Sequence, residues 1–309
     1  MTARQAERAG EPHAATSTPS WRPEMEDWFN SRIYHPLAHR LALLLIPTGI
    51  SANAVSVMGG LMIVAAAFFY AALPWPVSVL LGFLAHALWH VFDGADGEVA
   101  RVTGKASPLG EIVDGACDYA GHGILYLTLA AILDDQLGLW AWALGVGASG
   151  SRIVQSIHGE SGRRTYLWRA YGTPWLKQAQ ASEDEVFHRS GFFTRISTAF
   201  ARGYIALAGG MSPLAQSIDV LMVQASASPD RRETARAACR RLSRLPLRLQ
   251  TLLGPNLRTA ALAACMAAGS PLWFFLAEIT LANLLLLWSV RAQAVCDRKL
   301  KAELSALPG

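Results

Sequence analysis

Charged residues are scarce in this sequence, and cysteines are few and scattered. Asp, Glu, Lys and Arg make up 16% of the 309 residues, whereas 52% of the residues are hydrophobic and the mean hydropathy is +0.26. This balance excludes an ordinary soluble enzyme of this length and predicts an all-α integral membrane protein. The four cysteines show no CxxC spacing, so we expect neither a disulfide framework nor a zinc site.

The excess of basic residues does not predict a nucleic-acid partner. The formal net charge is +4 and the isoelectric point is near 9.0, but Lys and Arg lie beside apolar segments instead of along one soluble surface. Orientation in the bilayer explains this placing, because the cytoplasmic loops of membrane proteins are enriched in Lys and Arg.

Two segments precede the apolar part of the chain. Residues 1–20 are small, polar and charged without an apolar run, and we expect a disordered cytoplasmic tail. Over residues 21–47, apolar side chains recur at steps of three and four, which predicts an amphipathic helix lying in the membrane interface. The alternative for this second segment is a helix packed on a soluble core.

Residues 48–309 contain six apolar segments, each near the roughly 20 residues that a spanning helix needs. Lys and Arg lie at alternate connections, which predicts that both termini face the cytoplasm from the cell (inner) membrane. A long basic insertion at about 159–256 follows the fourth segment, and we expect a partly helical cytoplasmic element against anionic lipid. The predicted spans are about 52–72, 76–100, 110–133, 138–158, 257–277 and 271–294, with the last boundary near residues 269–271.

Four aspartates follow helical spacing at the facing ends of the second and third segments. Each pair falls on one face of its helix, and the short connection makes the two helices antiparallel neighbours. The four carboxylates are therefore expected to converge. The pairs are Asp93 with Asp96 and Asp114 with Asp118.

Four carboxylates in one place repel each other and call for divalent cations. Hard ions such as Mg²⁺ or Mn²⁺ prefer oxygen ligands, and two such ions side by side suit displacement at phosphorus. Arg101 lies beside the carboxylates and can hold a phosphate oxygen. The residues therefore predict a metal-dependent phosphoryl transfer at the cytoplasmic face.

The same stretch resembles the signature of the CDP-alcohol phosphotransferase (CDP-alcohol phosphatidyltransferase) family. The pattern D-x2-D-G-x2-A-R-x8-G-x3-D-x3-D is complete here at fixed spacing. The resemblance implies a homodimer of phospholipid synthesis that transfers a substituted phosphate from a CDP-alcohol to an acceptor hydroxyl and releases CMP. It implies that the aspartates hold two divalent cations, that Asp118 is a ligand or the general base, and that the other positions line the cytidine diphosphate pocket. The eight positions are Asp93, Asp96, Gly97, Ala100, Arg101, Gly110, Asp114 and Asp118.

The residues that could bind the acceptor alcohol are less clearly indicated by the sequence. By position, Arg152 and Arg258 resemble the basic residues with which some family members bind a polyol phosphate, and His122 follows on the third segment. Snorkelling to the interface is the alternative for both arginines. The two arginines favour CDP-diacylglycerol as donor and a polar acceptor. His122 is a candidate to help deprotonate the acceptor, and the alternative for it is a packing or hydrogen-bonded residue.

Two other functions stay open. The run SPLGE at 107–111 is similar to choline and ethanolamine phosphotransferases, which pass a headgroup to a lipid alcohol such as diacylglycerol or ceramide. Those enzymes carry a histidine where this chain has Gly115, which weighs against a diacylglycerol acceptor. The alternative from another class is a cation transporter that uses intramembrane carboxylates.

Overall fold

The structure is helical throughout the part of the chain that it describes. The computed structural model describes residues 22–173, 203 and 206–307, and no strand occurs among them, which confirms the all-α fold class. The main helices are α1 His35–Leu45, α2 Ala52–Ala72, α3 Val77–Val102, α4 Pro108–Leu137, α5 Leu139–Tyr171, α6 Ala215–Ala225, α7 Pro229–Leu242, α8 Arg244–Leu252, α9 Pro255–Ala267, α10 Leu272–Ile279 and α11 Leu281–Ser305.

Helices α2 and α4 begin at residues that cap them. The Oγ of Ser51 accepts the backbone N–H of Ala54 at 3.3 Å, and the Oγ of Ser107 accepts that of Gly110 at 3.1 Å. Pro108 then occupies the first turn of α4, where its missing N–H costs no helical hydrogen bond. These caps place the start of α4 directly after the short turn that follows α3, so the two helices run antiparallel.

Small residues bring α2 close to both of its neighbours. A Cβ added at Gly59 would lie 3.3 Å from the Cβ of Phe92 on α3, and one at Gly60 would lie 3.3 Å from the Cβ of Cys117 on α4. Because helices packed through glycine approach closely, their backbones gain dispersion contacts that larger residues would prevent. The three helices form the rigid centre of the bundle.

Four helical stretches are long and apolar enough to cross a bilayer. They match the first, second, third and sixth predicted segments. The fourth predicted segment, 138–158, lies within α5, a continuous helix of 33 residues whose polar and charged side chains keep it out of this group. The four stretches are Ala52–Ala72, Val77–Val102, Val113–Leu137 and Leu272–Ser305, the last bent at Thr280 between α10 and α11.

The fifth predicted span, 257–277, is wrong as a single helix. Helix α9 has 13 residues and ends at Ala267, and the chain then turns at Gly269, where φ is +90°. At 1.5 Å per residue, α9 is about 20 Å long, short of the ~30 Å hydrocarbon core of a bilayer. The turn itself lies where the connection between the fifth and sixth spans was expected. Gly269 allows it, because a positive φ favours glycine. The error is the extension of the segment past that turn.

The segment 21–47 is helical without a break from residue 28 to its end, although the type of helix changes along it. Ala38 of α1 is buried, and a Cβ added at Gly94 would lie 2.8 Å from the Cβ of Ala38, so α1 crosses α3 at close range. Apolar side chains such as Leu44 are exposed on α1. The location of this segment in the membrane interface stays a prediction. Its pieces are a 3-10 turn at Pro23–Met25, a π-helical turn at Asn30–Tyr34, α1, and a 3-10 turn at Ile46–Thr48.

The insertion expected at about 159–256 is helical over much of its described part. Helix α5 continues into it as far as Tyr171, and α6, α7 and α8 follow the part at 174–202, which lies outside the described residues. These helices enclose a second hydrophobic core together with α11 and with Met25 of the N-terminal segment. The described part is thus a packed unit, and its contact with the membrane stays a prediction.

A buried ion pair joins this second core to the bundle. Arg169 of α5 is 3% exposed, and its Nε donates to Asp219 of α6 at 2.8 Å. Its Nη1 donates to Asp297 of α11 at 3.3 Å, and its Nη2 donates to the carbonyl of Ala215 at 3.1 Å. Removing one member of such a network leaves a buried charge without its partner, so the network should stabilise this junction.

We expect Arg169→Ala to lower the free energy of unfolding by about 3 kcal/mol, since Asp219 and Asp297 would lose their counter-charge. The matched control is Arg241→Ala, which removes an exposed pair with Glu303 at 2.6 Å and should cost about 1 kcal/mol or less. Thermal unfolding of the detergent-purified protein, followed by circular dichroism, checks both variants. Equal shifts would contradict this role of Arg169.

Candidate active site

Three of the four predicted aspartates meet between α3 and α4. Asp93, Asp114 and Asp118 each present a carboxylate oxygen, and these oxygens lie within 4.8 Å of one another. Asp93 is exposed, whereas Asp114 and Asp118 are partly buried. Such close like charges repel strongly unless a cation or a shared proton lies among them. The donor set fits a hard divalent cation, because it offers only carboxylate oxygens.

The fourth aspartate, Asp96, is held by the protein. Its side chain is 6% exposed, and its Oδ2 accepts the hydroxyl of Ser56 on α2 at 2.5 Å. Its carboxyl group also lies within hydrogen-bonding reach of Asp114. Asp96 therefore adjoins the group of three, and one of its oxygens is already engaged.

Trp89 is a site residue that the sequence analysis missed. Its indole Nε1 donates to the Oδ1 of Asp118 at 2.6 Å, across the interface between α3 and α4. The available signal was spacing, because Trp89 lies four residues before Asp93 and so extends the aspartate stripe of α3 by one turn. The polar N–H of a buried tryptophan usually has a partner.

Histidines beyond the aspartates form a hydrogen-bonded chain. A backbone carbonyl can only accept, so the Nδ1 of His122 donates to the carbonyl of Asp118 at 2.8 Å. In a neutral His122 the Nε2 carries no proton, and it accepts the N–H of His86 Nε2 at 3.2 Å. Both ring nitrogens of His122 are therefore engaged by the protein. The acceptor role expected for His122 stays a prediction, and no free ring nitrogen supports it.

The residues expected to hold the cytidine diphosphate lie at the same end of α3 and α4. The guanidinium of Arg101 lies over Gly97, where an added Cβ would be 3.1 Å from its Nη1. Arg101 is exposed and makes no ion pair with any residue that the structure describes. Gly110 begins α4 near Asn53, whose Oδ1 would be 3.6 Å from a Cβ at that position. These positions leave exposed backbone and an unpaired cation next to the aspartates.

The two arginines expected at the acceptor have different surroundings. Arg152 of α5 is 7% exposed and makes no ion pair with a residue that the structure describes, and its guanidinium lies 5.9 Å from the ring centre of Tyr126. Arg258 of α9 is equally buried, but its Nε lies 3.2 Å from a carboxylate oxygen of Glu278. Its other nitrogens donate to Gln155 at 2.6 Å and to Ser156 at 3.1 Å. Each guanidinium nitrogen of Arg258 thus has a protein partner, whereas Arg152 has no carboxylate partner among the described residues.

Further charges reach the site from the continuation of α5. Glu160 and Arg163 act electrostatically on Asp93, and Arg164 acts on Asp114. Burial raises the pKa of the Glu160 carboxyl, but Arg164, at 2.5 Å, and Arg163 outweigh it and hold that pKa below its ordinary value. The sequence analysis counted these arginines only as part of a basic insertion. The missed feature was that α5 continues without a break beyond Arg152 as far as Tyr171.

The comparison with known proteins assigns a family to this part of the chain. Residues 49–165 match the CDP-alcohol phosphatidyltransferase family, which confirms the resemblance predicted from the signature. The match begins just before α2, ends within α5 and includes all four aspartates. No curated protein matches the chain.

We expect Asp114→Asn to weaken Mn²⁺ binding at least about 10-fold, because an amide supplies neither the charge nor the second oxygen of a carboxylate. Free Mn²⁺ in a titration of the purified protein, measured by electron paramagnetic resonance, gives the affinity. The matched control is Asp134→Asn, at the opposite end of α4, which should bind as the wild type does. If Asp114→Asn also bound like the wild type, the aspartate group would not be the cation site.

Proposed function

Since residues 49–165 match the CDP-alcohol phosphatidyltransferase family, we propose that the protein transfers a substituted phosphate from a CDP-alcohol to an acceptor hydroxyl and releases CMP. The observation that carries this proposal is the convergence of Asp93, Asp114 and Asp118 within the matched residues. The apolar helices support an integral membrane transferase. The two divalent cations, the homodimer and the role in phospholipid synthesis are proposed from the resemblance.

The aspartates would hold the divalent cations, Mg²⁺ or Mn²⁺. Asp93, Asp114 and Asp118 supply the three converging oxygens, and Asp96 supports them from the buried side. Bound cations would neutralise phosphate oxygens and lower the pKa of an oxygen that attacks phosphorus. Everything else in the reaction depends on how the protein holds the two substrates against these carboxylates.

The donor would lie along the polar end of α3. Arg101 has no protein counter-charge and is available to hold an oxygen of the diphosphate. Gly97 has no side chain of its own, and the guanidinium of Arg101 lies over it, so a diphosphate that binds Arg101 would lie next to Gly97. Ala100 and Gly110, which the family signature also contains, border the same space.

In the proposed step the acceptor hydroxyl oxygen bonds to the β-phosphorus of the donor. The bond from that phosphorus to the bridging oxygen breaks, and CMP leaves with the electron pair. The hydroxyl proton passes to the Asp118 carboxylate, which lies next to the other carboxylates and is hydrogen-bonded on one oxygen by Trp89. Arg101 would hold the charge that builds up on the departing phosphate.

A buried Arg152 that makes no ion pair within the described part of the chain favours an anionic acceptor. It acts on Asp118 only at a distance, so a ligand that paired with it directly would gain from binding. We therefore prefer CDP-diacylglycerol as donor and a polar, anionic alcohol as acceptor. Arg258, with its three protein partners, supports the pocket wall in this proposal. The reverse arrangement, a CDP-linked headgroup passed to a lipid alcohol, is the second candidate because of the SPLGE run.

The orientation in the membrane is also part of the proposal. The exposed Trp75 lies in the turn between α2 and α3, and the exposed Trp140 and Trp273 lie in the first turns of α5 and α10. Tryptophan is enriched at membrane interfaces. The aspartates lie toward the opposite ends of their helices, next to the basic residues of the chain. By the positive-inside rule, this arrangement supports a site and termini on the cytoplasmic side.

The purified protein in lipid nanodiscs should release CMP from a CDP-alcohol when an acceptor and Mg²⁺ or Mn²⁺ are present. Asp118→Asn should lower this rate at least about 100-fold, since it removes the proposed proton acceptor. Asp135→Asn, at the far end of α4, is the control and should keep the wild-type rate. A wild-type protein that released no CMP with either class of donor, yet carried cations across liposomes, would instead be a transporter.

Arg152→Gln should raise the KM for an anionic acceptor about 10- to 100-fold and leave the KM for the CDP-alcohol within about twofold, because a charge-assisted hydrogen bond is lost on one substrate only. Steady-state CMP release with glycerol phosphate or inositol phosphate measures both constants. Arg241→Gln, on an exposed surface, is the control. An unchanged acceptor KM, together with activity on diacylglycerol, would support the second candidate.

A further inference from the structure

A short hydrogen bond joins Trp89 on α3 to Asp118 on α4. The indole Nε1 and the carboxylate Oδ1 are 2.6 Å apart. An indole N–H can donate but cannot accept, so the atom facing it must be an acceptor. The contact therefore favours an Asp118 oxygen that carries no proton.

Trp89 itself has little freedom to move. It is 4% exposed, and its ring meets that of His122 edge-on, with centroids 4.5 Å apart at 79°. The ring of His90 lies on another side at 4.4 Å. On α2, a Cβ at Gly59 would be 3.5 Å from the Cδ1 of Trp89. The glycine therefore lets α2 pack directly against the indole ring.

Asp118 is thereby held at both its backbone and its side chain. Its backbone carbonyl accepts a hydrogen bond from the Nδ1–H of His122, and its carboxylate accepts one from the indole N–H of Trp89. With Oδ1 engaged by the indole, the plane of the carboxylate is set relative to Asp93 and Asp114. Residues that orient a metal-binding group in this way typically change metal affinity 10- to 100-fold when they are mutated.

We propose that Trp89 is a positioning residue that orients Asp118 toward the divalent cation. This inference rests on the proposed function, in which Asp118 is a cation ligand. Trp89 contacts no substrate and acts only through the carboxylate of Asp118. Its effect is therefore expected on cation affinity in the absence of any substrate, as well as on turnover.

The chain contains a matched control for this test. Trp142 donates its Nε1 to the Oδ1 of Asp134 at 2.7 Å, far from the aspartate group. Trp89→Phe should weaken Mn²⁺ binding about 10-fold or more, whereas Trp142→Phe should bind within about twofold of the wild type. Free Mn²⁺ measured by electron paramagnetic resonance, without nucleotide or lipid substrate, gives each dissociation constant.

A second variant separates the hydrogen bond from packing. Trp89→3-benzothienylalanine, introduced by codon suppression, replaces the N–H by sulfur and keeps the size of the ring. We expect it to weaken Mn²⁺ binding as Trp89→Phe does, even if the phenylalanine variant folds poorly. Wild-type affinity in this isosteric variant would overturn the proposal.

The double variant tests whether Trp89 acts through Asp118. In an Asp118→Asn background, Trp89→Phe should change Mn²⁺ affinity by less than about twofold, because the group that it orients is already lost. A full 10-fold further loss in that background would show that Trp89 acts elsewhere and would overturn the proposal. Failure of the wild type to bind Mn²⁺ at all would instead contradict the proposed function.

Discussion

Repulsion among carboxylates within an apolar helix pair is the constraint on which the rest of this structure depends. Asp93, Asp114 and Asp118 lie within reach of a single ion, and Asp96 adjoins them. Among the described residues, Ser56 and Trp89 donate hydrogen bonds to this group, and arginines lie around its edge. Net negative charge is thus left at the centre, which is the condition for binding cations and, through them, a diphosphate.

The chemistry of the site could be predicted from the sequence because it depends on local spacing. Two aspartates three residues apart on α3 and two aspartates four residues apart on α4 fall on helix faces regardless of the rest of the fold. The caps at Ser51 and Ser107 are equally local signals. An antiparallel pair then follows from the short connection, and the aspartates meet.

The parts that the sequence did not predict depend on contacts between distant residues. The partner of Arg258 is Glu278, on a helix that begins only after the turn at Gly269. Hydropathy averages over that turn, so the fifth predicted span continued past it. Trp89 was missed for a related reason, because a tryptophan in an apolar run is indistinguishable by composition from a core residue. The second core was missed since its apolar residues are diluted by arginines that face outward.

Helix α5 has a consequence for how the molecule works as a whole. Its 33 residues correspond to about 50 Å of unbroken rod, well beyond the thickness of a hydrocarbon core. Its middle carries Arg152, which acts electrostatically on Asp118, and its last turns carry Tyr166 and Arg169 in and beside the second core. Because α5 is unbroken between these residues, a tilt of the part that packs in the second core would also shift Arg152 relative to the aspartates.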